Sequence, residues 1–83
     1  MIRVELNESG RWYLKALSVD DRDAYDDAVR LLKEFEATGH PRPTRCSTFP
    51  LDRTLHRSPI RVLMRVEHHT GTFVVYWVGH EDD

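Results

Sequence analysis

The chain is poor in cysteine: Cys46 is the only one in 83 residues. A lone thiol closes no internal disulfide, and it points to a reducing compartment, the cytoplasm. Cys46 reads as a spare structural thiol rather than a nucleophile. Long apolar runs are missing as well. Nothing approaches the roughly 18 residues of a membrane span, and the polar opening MIRVELNESG is unlike a secretory signal. No membrane partner is expected. Zinc-ligand spacings, a glycine-rich phosphate loop and a hydrolase nucleophile elbow are all lacking, so neither a metal nor a cofactor is expected. Lysine is absent from the middle of the chain, where every strong base between positions 39 and 69 is arginine.

What is present reads as one globular domain over residues 1–83. Hydrophobic residues make up 40% and charged residues 31%, which argues against disorder. So short a chain buries only about 60–65% of the surface its unfolded form exposes, enough for a single core. The net charge of −2 conceals an uneven layout. Residues 1–38 hold nine acids and six bases, and residues 39–69 hold six arginines against Asp52 and Glu67. Residues 70–83 hold three acids and neither Lys nor Arg. His40, His56, His68 and His69 also fall in the middle segment. The guanidinium fork matches phosphate oxygens in bidentate fashion, whereas an ammonium acts as a point charge. An arginine-only segment inside an acidic chain reads either as an anion-binding surface or as a solubilising one.

Periodicity orders the elements. IRVEL, residues 2–6, alternates as a strand. A short helix is predicted from about Ser9 to Leu17, with Gly10 weakening its start. A longer helix follows. Ser18 is its expected cap, with Asp20, Asp21 and Asp23 in the first turns, where the helix dipole favours acids. Ala24, Ala28, Leu31, Leu32 and Phe35 recur at helical spacing and mark its buried face, and Gly39 and Pro41 stop it. An irregular connection over 40–52 leads to a short strand, RTLHR at 53–57, and Ser58-Pro59 turns the chain. The next strand, 60–67, alternates strictly. Ile60, Val62, Met64 and Val66 fall on one side, and Arg61, Leu63 and Arg65 on the other. HHTG makes a hairpin turn in which Gly71 supplies a positive φ. TFVVYWV, 72–78, is the most β-prone run and should be an interior strand ended by Gly79. The fold class expected is α+β: two helices packed on one face of a small, mainly antiparallel four-stranded sheet, in the order β-α-α-β-β-β.

These residues resemble a known family. The order of elements, the strand IRVLMRV, the strand FVVYWV and the closing VGHE are similar to the RelE/ParE superfamily of bacterial toxin–antitoxin toxins. That family's signature is a strand Y-R-V-hydrophobic-Y-x-V, then a turn and an apolar strand ending in V-G-H-R. Arg61 stands at the signature arginine, Gly79 and His80 match the last motif, and Glu81 replaces its closing arginine. The resemblance implies a RelE-like fold and a small antitoxin protein as partner. It also implies one of two targets. RelE-type members cut messenger RNA on the ribosome, and ParE-type members inhibit DNA gyrase. RelE-type enzymes often carry a catalytic Tyr or His in a longer tail.

RNA cleavage without a metal makes the 2′-hydroxyl attack the adjacent phosphate. It needs a base for the 2′ proton, a cation for the phosphorane and an acid for the leaving 5′ oxygen. Arg61 takes the cation's place by the resemblance. His80 is the first acid/base candidate and Glu81 an alternative base beside Arg61. Arg65, about 13 Å further along the strand, suits substrate positioning. Arg53, His56 and Arg57, on the strand expected to pair with this one, complete the RNA-binding set, with His56 as a second acid/base candidate. His68 and His69 read as bystanders in a turn. The catalytic reading is therefore an mRNA endoribonuclease. The alternatives are a gyrase inhibitor, a catalytically degenerate RelE-fold binding protein, or a small interaction domain whose arginine face takes an acidic protein segment.

Overall fold

The computed structural model describes residues 2–44, 52–57 and 59–81. Cys46, the Ser58 half of the Ser58-Pro59 turn and most of the connection over 40–52 lie outside them. Six elements follow in the expected order: β1 (Val4–Leu6), α1 (Glu8–Asp20), α2 (Arg22–Thr38), β2 (Asp52–Arg57), β3 (Ile60–Glu67) and β4 (Thr72–His80). The strands form one sheet in the order β1-β4-β3-β2, with β1 parallel to β4 and the other pairs antiparallel. The architecture is the α+β arrangement the periodicities predict. No helix among the described residues is long and apolar enough to cross a membrane.

The helix boundaries differ from expectation. Asn7 caps α1, its side chain accepting the Gly10 N–H at 2.8 Å. At the other end α1 stays helical through Ser18, whose hydroxyl donates to the Lys15 carbonyl instead of capping α2. A serine inside a helix can satisfy its hydroxyl on a carbonyl of its own turn, so it marks no boundary by itself. Asp21 is the residue that leaves helical geometry, at φ −152°, and it caps α2 by accepting the Ala24 N–H at 3.1 Å. The far end of α2 agrees with the prediction: Gly39 stands in the left-handed region at φ +76°, and its N–H reaches the Phe35 carbonyl at 2.8 Å. Gly71 likewise takes φ +68° in the hairpin turn.

All five predicted apolar positions of α2 enter the core, against Leu55, Ile60, Val62, Met64, Val75 and Val78 of the sheet. Leu31 and Phe35 are completely buried, which is worth about 1.5–3 kcal/mol each. The Phe35 ring meets Phe73 edge-on at 5.0 Å.

The placement of α1 is less regular. β1 pairs only with Phe73–Val75, which would leave the rest of that β4 edge bare. The start of α1 covers it: the Asn7 N–H donates to the Val75 carbonyl at 3.1 Å, and the Ser9 hydroxyl to the Tyr76 carbonyl at 3.0 Å. Leu17 of α1 joins the core with α2, but Trp12 and Tyr13 overhang the other side of the sheet. That side of the sheet is therefore flanked by part of α1. β4 also runs on through Gly79 to His80 instead of ending at Val78, because Ile60 and Arg61 at the start of β3 pair with His80 and Gly79. A register shift between Leu63 and Met64 leaves Tyr76 as the extra residue of β4.

Candidate functional site

Alternation along β3 turns Arg61, Leu63 and Arg65 away from the core, as the sequence predicts. The strand register extends this face sideways. His56, Arg61 and Gly79 lie abreast, and so do Asp52, Arg65 and Val74. The same register places Arg53 and Arg57 opposite Met64 and Ile60, on the α2 side of the sheet. Arg57 is held there by Glu34 of α2. Arg53 donates to the Asp52 carbonyl at 3.1 Å. The four strand arginines thus divide between the two faces. Arg53 and Arg57 are not brought to Arg61, whereas His56 and Arg65 are. A one-residue offset on the partner strand reverses a side chain's face, and β2 alone does not reveal that offset.

Arg61 is half-buried, and its Nε is enclosed with no hydrogen-bond partner among the described residues. Beside it, His56 Nε2 lies 3.0 Å from Glu81 Oε1. The Glu81 N–H donates to the Pro59 carbonyl at 2.6 Å, which fixes the end of the chain segment that carries the carboxylate.

His80 points to the other side of β4, where Nε2 lies 3.0 Å from Asp21 Oδ2 at the junction of α1 and α2. The His80 hydrogen bond, and then the one from the Ala24 N–H, hold the Asp21 carboxyl below its ordinary value. Both imidazoles are therefore tied to acids, but His56 is the one abreast of Arg61. No three His, Cys, Asp or Glu side chains among the described residues converge as a metal site.

A groove of about 510 Å³ opens between α1 and this face, lined in part by Trp12, Tyr13, Asp20, Arg61, Trp77 and Gly79. The Trp77 indole lies across Gly79 so closely that a Cβ there would stand 2.6 Å from the ring. Tyr13 leans against Trp77 with centroids 6.0 Å apart, and Trp12 meets Tyr13 edge-on at 5.0 Å. Trp12 is 65% exposed, a large apolar surface that folding does not use. Sequence reasoning missed these aromatics. One signal was available: in the strand segment Trp77-Val78-Gly79, a glycine two residues on leaves bare sheet under the indole.

No protein-family model matches the sequence, and no curated protein matches it. Solved structures do share its fold. A chain of the RelBE2 toxin–antitoxin complex of Mycobacterium tuberculosis superposes with a TM-score of 0.76 at 16% identity, covering 95% of this chain and 96% of its own. A chain of the chromosomal ParDE system of Pseudomonas aeruginosa gives 0.67 at 20% identity, with 96% of each chain covered. A chain of the archaeal RelE–RelB complex of Pyrococcus horikoshii gives 0.65 at 14% identity, over 96% of this chain and 94% of that one. The chain thus has the RelE-like α+β fold that its motifs resemble.

Proposed function

We propose that this chain is the toxin of a type II toxin–antitoxin system and that it cuts messenger RNA on the ribosome. The observation that carries this reading is the pairing of Arg61, whose enclosed Nε has no partner among the described residues, and the His56–Glu81 couple on one outward face of the sheet. Such a set can perform strand cleavage by the RNA's own 2′-hydroxyl. His56 takes the 2′ proton as the oxygen attacks phosphorus, and Arg61 balances the added charge on the phosphorane. The P–O5′ bond breaks, leaving a 2′,3′-cyclic phosphate, and the 5′ oxygen takes up a proton. Asp21 holds His80 on the opposite side of β4, away from Arg61 and His56, so the expected catalytic acid is not brought to the site and the 5′ oxygen takes its proton from solvent. Arg65 positions the strand. The toxin–antitoxin complexes that share the fold support an antitoxin protein as partner. A cytoplasmic setting accompanies this reading.

Inducing the chain in bacteria should arrest translation and leave cut transcripts. Arg61→Ala should lower cleavage about 10²–10³-fold, the usual effect of losing one donor to a developing anion, with the circular dichroism spectrum unchanged. Full cleavage by a folded Arg61→Ala protein would remove Arg61 from the mechanism. A second reading, a ParE-like gyrase inhibitor, is favoured by the ParDE similarity and by Glu81 at the position of the family's arginine. DNA damage and filamentation with translation intact would select it.

A further inference from the structure

We propose that the groove beside Arg61 is a subsite for one unpaired guanine base, with the nucleotide's phosphate on Arg61. The proposal rests on the RNA-directed reading above and assigns the base that reading leaves open. Three features of the groove argue for it. Its floor is the Trp77 indole, laid flat on the sheet because Gly79 has no side chain to lift it. Tyr13 and the exposed Trp12 make its side wall. An aromatic floor next to a cation suits a base joined to a phosphate, and stacking contributes about 1–3 kcal/mol per base.

The two rims carry opposite charges. Arg61 lies on β3, on one side of Trp77 and Gly79, and Asp20 ends α1, which flanks β4 on the other side. A base lying on the indole with its phosphate at Arg61 therefore turns its far edge toward a carboxylate. Guanine presents two adjacent donors there, N1–H and N2–H, which one carboxylate accepts together. Adenine, cytosine and uracil each place an acceptor beside their donor, so a carboxylate repels part of their edge. The groove's volume of about 510 Å³ leaves room for a purine.

The chain's two tryptophans, Trp12 and Trp77, both line the groove, so its tryptophan fluorescence reports the site directly. Titrating the full chain with guanosine, adenosine and uridine 5′-monophosphates, and with inorganic phosphate, should quench it most strongly with the guanosine nucleotide. Its affinity is expected to be at least about tenfold above the others, as one charge-assisted bidentate contact gives. Asp20→Asn, at an exposed position, should erase the guanine preference while leaving weak stacking, and Trp77→Leu should weaken every nucleotide. Equal quenching by all nucleotides, or a guanine preference that survives Asp20→Asn, overturns the subsite. The two readings separate in the cleavage assay. Cleavage of RNA without regard to guanine sinks the subsite and spares the nuclease. A guanine preference in binding with no cleavage spares the subsite and sinks the nuclease.

Discussion

Glu81 is where this chain departs most from the motif it resembles, and the fold sets it beside His56. An arginine there would add a second cation beside Arg61. The glutamate instead stands 3.0 Å from His56 Nε2. The roles of the two residues can be separated by kinetics. On the proposed nuclease reading, His56→Ala should lower RNA cleavage about 10²–10⁴-fold, as loss of a general base does. Glu81→Gln keeps the shape but removes the charge, so it should lower the rate, though less than His56→Ala does. A glutamine variant with the parent's rate would show that Glu81 has no part in cleavage. Of these two residues, both were named from sequence as candidates. Their pairing was not legible, because 25 positions separate them and only the β2–β3–β4 register brings them abreast.

Gly10 shows how an isolated helix and a packed one make opposite demands. In a free helix, alanine is preferred over glycine by about 1 kcal/mol, so propensity alone predicts that Gly10→Ala stabilises. In the fold, a Cβ at Gly10 would stand 2.2 Å from the Val75 carbonyl oxygen, a backbone atom that cannot rotate away. Overpacking of this kind costs about 1–3 kcal/mol, so Gly10→Ala should lower stability in a urea melt despite its better propensity. A raised midpoint would mean that α1 does not press on β4 there. The helices were otherwise well marked. The 3.6-residue spacing of Ala24 through Phe35 identified the buried stripe of α2, and Gly39 its end. The α1–α2 boundary was misplaced by three residues because Ser18 and Asp21 are both competent caps, and the sequence does not say which one leaves the helix.

Across the whole molecule, the Asp21–His80 contact joins the helix junction to the last residue of the sheet. Asp21 has a lowered pKa in the fold, so its contribution to stability is present above its unfolded value near pH 4. It is lost as pH falls through the lower, folded value. Asp21→Asn should therefore be less stable than the parent at pH 7, and the gap should close as the pH drops below about 4. Urea midpoints at the two pH values test this. A gap that persists in acid would assign the loss to capping geometry rather than to charge. The same contact holds the end of β4 that carries Gly79 and Glu81, and so steadies the candidate site from outside it.

Short-range pattern was enough to define the order of elements, the buried face of α2 and the shared side of Arg61 and Arg65. Each depends on a period of two or 3.6 residues within one segment. Tertiary structure alone separated Arg53 and Arg57 from Arg61, joined His56 to Glu81, and laid α1 beside Trp77 to make a groove. Those outcomes depend on the offset between strands and on which edge of β4 is left unpaired. Both are set by burial and turns across the whole sheet, at separations where no local period carries information.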